Sequence, residues 1–109
     1  MGKAQHQRLH AARRAVERYD VVYSDVLEKR LKRIIKRRIE GTADTVECAI
    51  LVGISKNRPI FRVRLEVTTR HDETRYVDFN LVFDKALWRI VTFLPPGYRV
   101  LPSHRGVAA

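Results

Sequence analysis

Two hydrophobic rhythms divide the chain. Up to Glu40, apolar residues return every three or four positions, the period of a helix; beyond Gly41 they alternate, the period of a strand. Leu9, Ala11, Ala12, Ala15, Val16 and Tyr19 gather on one side at about 100° per residue, which predicts a helix ahead of Asp20. Met1 to Gln7 is polar and is expected to fray at its start. Asp20 to Tyr23 interrupts the pattern with the β-branched pair Val21 and Val22. A second stripe, Leu27, Leu31, Ile34, Ile35 and Ile39, predicts a helix from Ser24 to Ile39. Ser24 suits its N-cap, Asp25 and Glu28 suit the positive end of its dipole, and Gly41 suits the left-handed position that ends it.

The second part reads as four strands. Thr45–Ile54 is a nearly continuous apolar run, which implies cover on both faces. Ser55–Pro59 has turn composition. Ile60–Thr68 then alternates, with Phe61, Val63, Leu65 and Val67 on one face and Arg62, Arg64, Glu66 and Thr68 on the other. Arg70–Thr74 makes the next turn. Tyr76–Phe83 sends Val77, Phe79, Leu81 and Phe83 inward and Tyr76, Asp78 and Asn80 outward. Asp84–Ala86 is short enough for a hairpin, Leu87–Leu94 is the last strand, and Pro95-Pro96-Gly97 stops it.

The expected fold class is therefore α+β: two N-terminal helices packed on one face of a four-stranded antiparallel meander. It forms a single domain over residues 1–109, with a helical half at 8–40, the meander at 45–94 and an extended tail at 95–109. Leu27, Leu31, Ile34 and Ile35 should pack against Phe61, Val63, Val77 and Phe79. The open sheet face would then carry Arg62, Arg64, Tyr76, Asp78 and Asn80.

Charge narrows the function. The chain has 109 residues and a formal net charge of +10, which favours nucleic acid or an acidic protein as partner over a small neutral substrate. Residues 1–40 hold 12 Lys and Arg against 5 Asp and Glu; residues 41–109 hold 10 against 7. Seven of the ten positions from Lys29 to Arg38 are Lys or Arg. The second helix thus offers a basic strip roughly 20 Å long opposite its apolar stripe. Lys29, Lys32, Arg33, Lys36 and Arg37 on that strip, with Arg62 and Arg64 on the sheet, are the candidate nucleic-acid contacts. Part of the run also follows the helix dipole, which favours cations near the C-terminus. The single cysteine, Cys48, excludes an internal disulfide and disfavours a cysteine metal cluster. With no apolar run long enough to span a membrane and no signal-peptide core, a cytoplasmic location is expected.

Known catalytic signatures are absent: no phosphate-binding glycine loop, no paired histidines at metal spacing, no CxxC. No cofactor or metal is expected. The histidines, His6, His10, His71 and His104, are scattered. One constellation has chemical promise. His10, Arg14 and Arg18 stand at i, i+4 and i+8, a ladder along one helix surface. Imidazole titrates near neutrality and guanidinium grips phosphate at two points. RNA cleavage by attack of the 2′-hydroxyl needs those functions. On the helical wheel the ladder is centred about 130° from the apolar stripe.

The segment H-A-x-x-R-x-x-x-R from His10 to Arg18, a second helix ending in glycine, and a meander closing on I-V-T-F-L resemble a family of small prophage- and toxin-associated domains. These are grouped with the BECR superfold of ribonucleases (barnase, EndoU, colicin and RelE types). The resemblance spans about residues 8–94. His10, Ala11, Arg14 and Arg18 match the motif, and Thr92 matches a hydroxyl residue of the last strand. The strands lack a barnase-like Glu–His pair; Arg62, Arg64 and Tyr76 are similar in kind to the sheet residues of RelE-type members.

The resemblance implies a metal-independent endoribonuclease, of toxin or phage type, leaving 2′,3′-cyclic or 3′-phosphate ends. His10 would be its general base or acid, Arg14 and Arg18 would hold the scissile phosphate, and Thr92 would orient the 2′-hydroxyl or the imidazole. The basic helix would hold the flanking RNA. The alternatives are a non-catalytic module docking nucleic acid or an acidic host protein, and an assembly protein packed on an acidic neighbour. A cognate inhibitor is a further possible partner.

Overall fold

The computed structural model describes residues 3–42 and 47–98, the side chains of residues 3–7 excepted. Helices α1 (Lys3–Tyr19) and α2 (Asp25–Glu40) precede strands β1 (Cys48–Ser55), β2 (Arg58–Thr68), β3 (Thr74–Asp84) and β4 (Arg89–Phe93). The strands form one antiparallel sheet in chain order, β1-β2-β3-β4. Both helices lie on the same sheet face, α1 over β4 and α2 over β1 and β2. The fold is the α+β arrangement that the two periodicities imply. The start of the first strand at Thr45 and the tail beyond Tyr98 lie outside the described residues.

Each end of α2 is set by local chemistry. Ser24 Oγ accepts the Leu27 N–H at 3.1 Å, and Gly41 takes φ 81°, a left-handed turn that returns its N–H to the last carbonyls. Leu27, Leu31, Ile34 and Ile35 are buried in one core with the expected Phe61, Val63 and Phe79 and also with Ala49 and Leu65, while Val77 is half-buried at its margin. Under α1 the contact is closer. Ala11 and Ala15 have no exposed surface, and with Tyr19 they make an i, i+4, i+8 seam whose small side chains let the helix approach β4. That seam leaves Leu9 exposed, contrary to its expected place in the stripe. The helix begins at Lys3, ahead of the helical half expected from residue 8, because Lys3 to Gln7 contains no helix breaker.

Three strand expectations change. Lys56 and Asn57 both have positive φ (50° and 67°), so the first hairpin closes in two residues and β2 starts at Arg58. β4 starts at Arg89 rather than Leu87, because Trp88 is left-handed (φ 53°) and turns its ring edge-on to Phe83 at 4.9 Å. β1 is not covered on both faces. Chain order puts it at the sheet edge, and Ile50, Leu51 and Ile54 stay 48%, 49% and 71% exposed.

The open sheet face also differs from expectation. Asn80 is 1% exposed, not solvated. After β4, the Pro95–Tyr98 turn has Pro96 at its second position and Gly97 at its third (φ 75°), and the Tyr98 N–H reaches the Pro95 carbonyl at 3.1 Å. This turn lies against the sheet: Asn80 Nδ2 donates to the Pro95 carbonyl at 3.5 Å and Arg62 Nη2 to the Tyr98 carbonyl at 3.0 Å.

Candidate nucleic-acid interface

The basic strip of α2 is built by helical periodicity alone. With Leu27, Leu31, Ile34 and Ile35 directed at the sheet, Lys29, Lys32, Arg33 and Lys36 stand at i, i+3, i+4 and i+7 on the opposite side. Lys29, Arg33, Lys36 and Arg37 are exposed. Lys32 leans on Glu28 at 3.5 Å, and Arg30 is drawn aside by Glu47 at 2.7 Å. Among the described residues Lys29, Arg33 and Lys36 form no salt bridge, so their charge is directed to solvent.

The α1 ladder is spent differently along its length. His10 is exposed. Arg14 pairs with Glu17 at 2.9 Å, and Arg18 donates to the Phe93 carbonyl at 2.7 Å. Thr92 is not part of that surface. It sits opposite Val82 in the β3–β4 register, on the face away from the helices, whereas its neighbour Phe93 points into the core beneath α1. His10 and Thr92 are therefore on opposite sides of the sheet.

On the open face, Arg62 and Arg64 also part company. Arg62 is a structural tie: its Nε donates to Asn80 Oδ1 at 2.9 Å while Nη2 holds Tyr98. Arg64 is exposed, 3.5 Å from Asp78, with its guanidinium carbon 6.0 Å from the Tyr76 ring centre. Tyr76 is itself exposed, so an arginine and an aromatic face lie side by side on this surface.

Sequence reasoning missed two clusters whose members are distant in the chain. Arg8 bridges α1 to α2 through Asp25 and, at 2.8 Å, Glu28, above the ring of buried Tyr23. Asp20, left-handed at φ 58° beyond α1, binds Arg70 Nε at 2.7 Å and His71 Nε2 at 3.3 Å. The Arg70 hydrogen bond holds the Asp20 carboxyl below its ordinary range, with His71 adding to the effect. Asp20 lines an open cleft of about 450 Å³ that also takes in Arg18, Arg75, Tyr76, Pro96 and Gly97. The one available signal was weak: an Asp immediately after a helical stripe tolerates the left-handed turn better than most residues.

Among the described residues no three metal-ligating side chains cluster, and no helix is long and apolar enough to cross a membrane. In comparisons with known proteins, no family model, curated protein or solved structure matches the chain.

Proposed function

We propose that this protein binds nucleic acid, with RNA favoured, through the outward face of α2. The observation that carries the reading is the lysine and arginine row opposite the buried stripe, with Lys29, Arg33 and Lys36 unpaired among the described residues. Counterions released from phosphates would supply most of the affinity. The exposed Arg64–Tyr76 pair supports the preference for RNA, since unstacked bases of single strands stack on such groups. Replacing Lys32, Arg33, Lys36 and Arg37 together by Gln should flatten the log–log salt slope of binding by about 3–4 units on a duplex, and somewhat less on a single strand. An unchanged slope would move the reading to an acidic protein partner.

A second reading is the metal-independent endoribonuclease of BECR type that the sequence resembles. Two helices followed by a chain-order antiparallel meander support it at the level of element order. The imidazole oriented by a carboxylate is His71 on Asp20, beside the cleft that holds Arg18, Arg75 and Tyr76. Cleavage should then proceed in EDTA and leave 2′,3′-cyclic ends, and a 2′-deoxy substitution at the cut site should block it. Loss of about 10²- to 10⁴-fold in His71→Ala but not His10→Ala would place the acid or base at the cleft; the reverse result would place it on α1. Salt-sensitive binding with no cleavage of any RNA leaves the binding module alone.

A further inference from the structure

β3 is longer than the strand beside it, eleven residues against five. Leu81 to Asp84 pair with β4, while Thr74 to Phe79 run on past its end. Asn80 marks the boundary. Its carbonyl accepts the Leu94 N–H and its own N–H goes to the Tyr19 hydroxyl, so both groups point to the β4 side. In an antiparallel ladder the N–H and C=O of one residue share a side, and that side alternates along the strand. The pairing of β3 with β2 is regular from Thr74 to Val82, so Asp78 and Tyr76 repeat the direction of Asn80. The outward N–H and C=O groups of these two residues have no hydrogen-bond partner among the described residues.

This row opens on the cleft of about 450 Å³ beside Asp20. One wall is the end of α1, from Glu17 to Asp20; the other is the Pro96–Gly97 turn. The cleft therefore continues the line of β4 along β3. Its charge is uneven. Each acid of the lining already has a cation: Glu17 has Arg14 at 2.9 Å, Asp20 has Arg70 at 2.7 Å, and Asp78 has Arg64 at 3.5 Å. The two arginines of the lining are not matched in this way. Arg18 meets the neutral Phe93 carbonyl. Arg75 is exposed and forms no salt bridge among the described residues, its charge reaching Asp20 only at longer range. Arg75 stands opposite buried Val67 and so belongs to the helix face, as Val77 does. Tyr76, 48% exposed, belongs to the open face.

We propose that the free half of β3 binds an extended acidic segment of a second protein, added antiparallel in line with β4. In this mode main-chain hydrogen bonds supply affinity and alternate side chains supply specificity. Added residues opposite Arg75 and Val77 point to the helix face, toward the unmatched Arg75 and Arg18, and are Asp or Glu. Those opposite Tyr76 and Asp78 point to the open face, where apolar side chains pack on the Tyr76 ring and Pro96. The recognised pattern is an alternation of acidic and apolar residues over about five positions, roughly 17 Å of strand. A phosphodiester carries acceptors alone and would leave the carbonyls of Tyr76 and Asp78 unmet. The site is thus distinct from the basic face of α2 and does not rest on RNA binding there.

The probe is the peptide Val-Glu-Val-Glu-Val-Glu-Val, acetylated and amidated at its ends, titrated at about 0.15 M salt with amide hydrogen exchange as readout. Saturable binding is expected, with slowed exchange at the Tyr76 and Asp78 N–H groups. The valines would sit opposite those two residues and turn their own N–H groups to β3. N-methylation of the valines should therefore abolish binding, and N-methylation of the glutamates should not. Arg75→Glu should weaken binding about five- to tenfold. Asp78→Pro removes an outward N–H where no ladder bond is lost, and should abolish binding with circular dichroism unchanged. Replacing Lys32, Arg33, Lys36 and Arg37 by Gln should leave peptide binding as in wild type, which separates this site from the RNA reading. Four results would each overturn the proposal: no binding, protection on α2 in place of Tyr76 and Asp78, indifference to valine N-methylation, or equal protection of those two groups by oligouridylate.

Discussion

The phenol oxygen of Tyr19 accepts the backbone N–H of Asn80 at 3.0 Å and donates its own proton to the Leu94 carbonyl at 2.6 Å. The Leu94 N–H still reaches the Asn80 carbonyl at 2.7 Å, so the hydroxyl stands where the second bond of that strand pair would be. Tyr19→Phe removes the oxygen and strands a buried donor and its acceptor. It should cost about 1–3 kcal/mol in urea unfolding. Tyr23→Phe gives the contrast. Among the described residues the buried Tyr23 hydroxyl has no hydrogen-bond partner in good geometry, so its removal should be near neutral or stabilising.

Alkali should act through the same two rings. Burial pushes the phenols of Tyr19 and Tyr23 above their ordinary range, Tyr23 the further. A phenol with a raised folded value is neutral in the fold while the unfolded chain ionises near pH 10. Stability should therefore be full below about pH 10 and fall as pH rises toward the folded values. The slope of unfolding free energy against pH above that point should shrink in Tyr23→Phe.

Arg62 separates a structural cation from a phosphate-binding one. Because its guanidinium holds Asn80 and Tyr98, Arg62→Gln should lower stability by about 1–3 kcal/mol. The salt slope of nucleic-acid binding should be unchanged. Arg33→Gln should do the opposite, flattening the slope by about 0.7–0.9 units with stability within about 0.5 kcal/mol of wild type.

Leu31, fully buried between α2 and the sheet, tests the core. Leu31→Ala should cost about 2–5 kcal/mol, the higher figure if the surrounding phenylalanines cannot close the space. Chemical denaturation with an unchanged m-value would show that the loss is one of packing.

Periodicity sufficed for the elements and for the faces of α2, because Leu27, Leu31, Ile34 and Ile35 leave a helix only one way to sit. It could not show that β1 is bare. A continuous apolar run reads the same whether a second layer covers it or an edge exposes it, and only the strand order decides. The α1 ladder was legible as spacing, but the destination of each member was not. Arg18 ends on Phe93, 75 residues away, while His10 faces solvent. Thr92 and Phe93 are adjacent in the chain and opposed in space, a consequence of the strand period that becomes visible once the helix-bearing face is known. Asp20 and His71 meet across 51 positions with no local pattern to announce it.

The contacts from Arg18 and Tyr19 to Phe93 and Leu94 tie the first helix to the last strand. On the ribosome, synthesis proceeds from the helices outward, so α1 emerges with its Ala11–Ala15–Tyr19 seam facing nothing. α2 can find β1 and β2 while the rest is being made, but α1 must wait until β4 clears the exit tunnel. At about 5–20 residues per second that interval lasts several seconds, during which a bare helix face and a growing sheet edge share the same short chain. A chain cut before Leu94 would lack the carbonyl that Tyr19 holds and would keep only the Arg18 contact of the tie.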